Sequence, residues 1–129
     1  MRPSFSWRAC AIVLLLATAA GSARAAEPKA TAVVQMTDSF TFEPRRVTVH
    51  AGDSVEWRNA SRFIHSVSAD PKLGSASLPA GAAAFASGDL PPGASFRQIL
   101  TVPGTYRYFC MEHEGVGMTG EITVLPAAR

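Results

Sequence analysis

Cysteine is nearly missing from this chain: its 129 residues contain two, Cys10 and Cys110. Long apolar runs are missing as well. The most extended one, Ala9 to Ala20, falls well short of the roughly 20 residues that span a bilayer. It follows Arg2 and Arg8 and leads into the small-residue stretch Ala23-Arg24-Ala25, which is the layout of a secretory signal peptide and not of an anchor with a basic stop-transfer flank. Residues 1–25 are therefore expected to be removed. Residues 26–129 would then form one soluble domain, periplasmic or otherwise exported, with no stable membrane insertion.

Charge of one sign is lacking too. Loss of Arg2, Arg8 and Arg24 leaves nine basic residues against ten acidic ones, a net charge of about −1. A balance this close to neutral, with no run of like charges, gives no electrostatic footprint for nucleic acid and no polybasic membrane patch. Removal of Cys10 leaves Cys110 as a lone thiol in a compartment where cysteines normally pair. Such a thiol is a free reactive group, an intermolecular bridge or a metal ligand, and its neighbours must decide.

What the chain does contain is period-two alternation. Short segments rich in Val, Ile, Thr, Phe, Tyr and Trp are separated by Gly, Pro, Asp and Asn, and the clearest are Thr31–Thr37, Arg46–His50, Ser54–Asn59, His65–Ala69, Ser95–Val102, Thr105–Cys110 and Gly120–Leu125. This is an all-β pattern that fits a two-sheet Greek-key sandwich of seven to eight strands. Alternation places Val47, Val49, Val55 and Trp57 inside and sends His50 to water. The stretch from Asp70 to Gly93, with Pro71, Pro79, Pro91 and Pro92, reads as a long loop in which residues 80–86 could form one helical turn. Met36, Met111, Trp57, Phe42, Tyr106 and Tyr108 are assigned to packing.

The chemistry gathers near the C-terminus. Cys110, His113 and Met118 fall within nine positions, and a thiolate, an imidazole and a thioether together favour copper over hard cations or structural zinc. Gly115 and Gly117 permit the loop to fold back so that His113 and Met118 face the point Cys110 reaches from the end of its strand. His65 is the natural second imidazole, since His50 faces water. Glu112 and Glu114 with Cys110 do not make a nucleophilic site, because no orienting group or oxyanion pocket accompanies them, and surface solvation accounts for the two glutamates. Three histidines are too few for a multicopper oxidase, and one cysteine is too few for a dinuclear copper centre.

Over nearly all of residues 26–129 the sequence resembles the cupredoxins, in their plastocyanin and pseudoazurin branch. Two residues separate Cys110 from His113 and four separate His113 from Met118; amicyanin-like proteins have a shorter second interval and azurin-like ones a longer first. Phe40-Thr41-Phe42-Glu43-Pro44, then Val47, Val49, Gly52, Val55, Trp57 and Asn59, match the first half of the family. The resemblance implies one type 1 blue copper, with His65, Cys110 and His113 as equatorial ligands, both histidines through Nδ1, and Met118 as the axial one. It further implies a one-electron carrier, not an enzyme, expected to be a monomer and meeting redox protein partners at the exposed edge of His113 within an apolar patch of Gly115, Val116 and Gly117. Phe109 would face outward, with no acidic docking run around it. The alternative is a periplasmic copper carrier or storage protein, for which open Met-rich or His-rich clusters are the more usual arrangement. Ile64 and Ser66 stand where the family commonly has proline and asparagine around the first histidine. The serine is expected to reach less far in tying the ligand loops together. Glu112, in place of a proline, is expected to loosen the turn or to leave a charge beside the exposed ligand.

Overall fold

The computed structural model describes residues 30–129; the expected leader, residues 1–25, lies outside the described residues. Among the described residues nine strands form two sheets. In chain order they are β1 (Ala32–Met36), β2 (Phe42–Glu43), β3 (Arg46–His50), β4 (Ser54–Asn59), β5 (Ser68–Ala69), β6 (Phe85–Ala86), β7 (Ser95–Ile99), β8 (Gly104–Phe109) and β9 (Thr119–Leu125). One sheet has the order β2-β1-β4-β7 and the other β3-β9-β8-β5-β6. The pairs β1/β4 and β3/β9 are parallel and the rest antiparallel. Among the described residues no helix is long and apolar enough to cross a membrane.

Alternation builds the core as the sequence demands. From the first sheet come Val34, Met36, Val55 and Trp57, and from the second Val49, Tyr106, Tyr108, Ile122 and Val124, all buried in one cluster. Trp57 and Phe42 meet the Tyr108 ring edge-on at centroid distances of 5.4 and 4.8 Å, the geometry that aromatic quadrupoles favour. His50 is exposed at the end of β3, where its backbone N–H donates to the Asp53 carboxylate at 2.8 Å and closes the turn into β4.

The segment between β5 and β7 departs from the expected open loop. No helical turn forms at residues 80–86; instead Phe85 and Ala86 make β6, paired with β5. A bridge joins Ser77 to Arg107 on β8, and another joins Leu90 to His65. Phe85 packs against Trp57 and Phe96 at 6.0 and 6.1 Å. The segment therefore closes an edge of the sandwich. The expected strand from His65 shortens for the same reason, since His65 pairs with Leu90 alone and regular pairing begins at Ser68.

The outer face of β4 carries a charge that sequence reading did not single out. Glu56 lies opposite Arg97 in the β4/β7 register. Its carboxylate accepts from Arg58 at 2.6 Å and from Arg97 at 2.8 Å, so the side chain is covered by guanidinium groups and not by solvent. The hydrogen bond from Arg58, then that from Arg97, hold the Glu56 carboxyl below its ordinary value of 4.5. Its contribution is complete above that ordinary value and disappears as pH falls through the lowered one. Glu56→Gln is expected to cost about 1–2 kcal/mol at neutral pH, with the gap from the parent narrowing as pH drops below 4.5. Denaturant unfolding at a series of pH values measures both.

Candidate metal centre

Two turns at one end of the sandwich supply the donors. The first follows β4. Asn59, buried at the end of that strand, donates from its side-chain amide to the carbonyls of Phe63 and Leu90 at 2.7 and 2.8 Å, and its Oδ1 accepts from the N–H and the hydroxyl of Ser61. One side chain thus shapes residues 59–63 and anchors Leu90. Leu90 in turn exchanges backbone hydrogen bonds of 2.7 and 3.1 Å with His65. His65 is fixed in place without belonging to a strand.

The second turn joins β8 to β9. Tyr106, Tyr108 and Cys110 point inward in alternation, and all three are buried. The Cys110 N–H donates to the Met118 carbonyl at 3.0 Å, while the His113 carbonyl accepts from both Val116 and Met118 at 3.2 Å. A single 3-10 turn, Glu114–Val116, carries the reversal and ends at Gly117, whose φ of 84° is a left-handed conformation that a side chain would oppose. Met118 returns fully buried beside the core.

The donor atoms converge. His65 Nδ1 lies 3.1 Å from His113 Nδ1, and the Cys110 sulfur lies 3.7 and 3.5 Å from the two nitrogens. A point equidistant from the three atoms is about 2.0 Å from each, the length of a first-row metal–imidazole bond. His65 Nε2 sits 3.2 Å from the Thr37 carbonyl, which accepts an Nε2–H and leaves the Nδ1 lone pair directed at the centre. Burial first, and then His113 nearby, lower the His65 pKa against the pull of Thr37, Glu112 and Asp38, favouring the neutral imidazole. Burial, followed by the Glu112 carboxylate, pushes the Cys110 thiol up. A soft sulfur and two imidazoles in a trigonal set, with a buried methionine from the same turn, fit copper.

Several expectations need correction around this centre. Phe109 does not face water: it is buried, because the turn through Gly74 lies over its ring. Met111 is half-exposed and packs into no core, since its neighbour Cys110 takes the inward position. Nor are the glutamates merely solvated. Glu114 accepts from the Ser75 N–H at 2.8 Å, tying the ligand turn to the preceding loop. Glu112 accepts from the Ser66 hydroxyl at 2.8 Å and from the Cys110 thiol at 3.0 Å. Ser66 also donates its backbone N–H to the Cys110 sulfur at 3.4 Å and accepts the Met111 N–H at 2.9 Å. The serine does span the two ligand turns, because the chain after Cys110 comes to meet it.

Phe40, which the sequence marks only as part of the family-like stretch, reaches the centre itself. Its φ of 57° is left-handed, unusual for a bulky side chain. That conformation lays its ring on His113 at 4.3 Å and 21°, with Phe63 at 5.1 Å beyond. One face of the half-buried His113 imidazole is therefore covered by protein. Around it Phe63, Ile64 and Val116 are exposed.

Comparison with known proteins identifies the family of the chain. The family described as copper binding proteins, plastocyanin/azurin family, matches residues 29–125. A plastocyanin of Prochlorothrix hollandica is 34% identical over 131 residues, covering 94% of this chain and 95% of its own. The chloroplastic plastocyanin of Tetradesmus obliquus is 37% identical over 86 residues, 67% of this chain, which spans 59% of that relative's length. A purple cupredoxin from Nitrosopumilus maritimus superposes with a TM-score of 0.59 at 23% identity, over 72% of this chain and 98% of its own, and shares the fold.

A Cβ at Gly74 would press into the buried Phe109 ring at Cζ. Gly74→Ala is expected to destabilise the protein by about 1–3 kcal/mol, read as a lowered midpoint in thermal unfolding.

Proposed function

Because the chain belongs to the plastocyanin/azurin family of copper-binding proteins, we propose that it is an exported one-electron carrier whose copper is held by His65, Cys110, His113 and Met118. The observation that carries this reading is the convergence of the imidazole and thiol donors, all within 4.8 Å of one another, from two separate turns. As a family member the chain is a copper protein of the electron-carrier class and not an enzyme.

Bound copper would supply a redox centre that gains and loses one electron. The chain's own residues do the rest. Thr37 and Leu90 orient His65, Phe40 holds the His113 ring, and the β8/β9 hydrogen bonds keep Cys110 and Met118 in register. Because the backbone supports on both turns are independent of the ion, little has to move when charge changes. Burial of His65, Cys110 and Met118 excludes water, which also argues against a carrier that surrenders its ion readily.

Electrons would pass through His113, the half-buried member of the set. Exposed Phe63, Ile64 and Val116 form an apolar surroundings suited to the small, short-lived interfaces of redox encounters. We take the protein to act as a monomer toward redox protein partners at this face.

Adding Cu(II) to the purified mature protein should give an intense thiolate-to-copper absorption band in the visible. Cys110→Ser should abolish it, and a colourless wild-type product would overturn the reading.

A further inference from the structure

Glu112 occupies a position the copper ligands do not explain. Its side chain turns back from a solvent-exposed stretch of the ligand turn so that one carboxylate oxygen, Oε2, meets both the Ser66 hydroxyl at 2.8 Å and the Cys110 sulfur at 3.0 Å. Ser66 is buried, and its hydroxyl is fully engaged, accepting the Met111 N–H at 2.9 Å while it donates to Glu112. A hydroxyl has one hydrogen to give. Its direction is therefore set toward the carboxylate, and the 3.9 Å approach to the sulfur is the weaker contact.

We propose that Ser66 and Glu112 form a latch between the two ligand turns, and that Glu112 is a positioning residue whose carboxylate, held beside the Cys110 sulfur, lowers the reduction potential of the bound copper. The inference rests on the copper reading above. Copper binding would release the Cys110 thiol proton to solvent and with it the hydrogen bond from sulfur to Glu112, while the Ser66 hydroxyl would still hold the carboxylate. A fixed negative charge next to a ligand sulfur favours the more positive metal, Cu(II), over Cu(I). The Ser66 N–H acts on the same sulfur in the opposite sense, withdrawing charge from it. The Ser66 N–H and the Glu112 carboxylate thus act on one sulfur in opposite senses.

Glu112→Gln separates charge from shape, since its amide oxygen can still accept from Ser66. Redox titration of the copper-loaded proteins against a one-electron mediator couple should show Glu112→Gln shifting the Cu(I)-to-Cu(II) stability ratio about tenfold toward Cu(I), a rise of about 59 mV. Ser66→Ala should also raise the potential, by releasing the carboxylate. In the copper-free protein Ser66→Ala should speed amide hydrogen exchange at Met111 about tenfold, whereas Glu112→Gln should leave it protected. A Glu112→Gln potential equal to or below the wild-type value, with the thiolate band intact, would overturn this proposal alone. Absence of that band in the wild-type protein would remove the copper reading and this inference with it.

Discussion

Everything at the metal-binding end depends on keeping the Cys110 sulfur out of water while nitrogen donors from a distant turn come within bonding reach of it. A residue that follows a strand and keeps its alternation, as Cys110 follows β8, turns its side chain inward. Burial also raises its pKa and deprives it of partners. The surrounding chain answers with the Ser66 N–H, two imidazole nitrogens and the Met118 carbonyl bonded to the Cys110 N–H. Hydrogen bonds made by Asn59, Leu90 and Thr37 all serve to deliver His65 to that sulfur.

The parts legible in the sequence are those governed by local rules. β3 and β4 were readable at both ends, Arg46–His50 and Ser54–Asn59, because alternating residues over five or six positions leave one sensible way to face a core. Strands of two residues leave no period of their own to read, and β5 was anticipated only as the end of a longer segment. β2 and β6 therefore escaped, and β6 exists only because β5 offers it an edge. The pairing of Cys110 with His113 was legible because a thiol and an imidazole are chemically scarce and closely spaced there, and the structure brings His65 to them from a distant turn.

Side chains that act across the fold were not legible. Phe109 alternates outward, as its position in β8 requires, and its burial depends on a glycine thirty-five positions earlier passing over it. Glu112 looked like a solvated acid because its partner, Ser66, lies in another turn. Phe40 needed a left-handed backbone that no composition rule forecasts for phenylalanine. Each of these depends on where two remote segments meet, which pattern and propensity do not encode.

The segment between β5 and β7 is pinned at Ser77, at Phe85–Ala86 and at Leu90, and the last of these pins is also the one that seats His65. Extra residues added to the turn around Ala80 and Gly81 would lengthen a span already fastened on both sides, at a loop-closure cost that grows only logarithmically. The same residues added between Ser87 and Leu90 would break the register that places an imidazole. This stretch of chain thus has one address open to insertions, fusions or grafted peptides, and a second, a few residues on, where they would unseat the buried imidazole of His65.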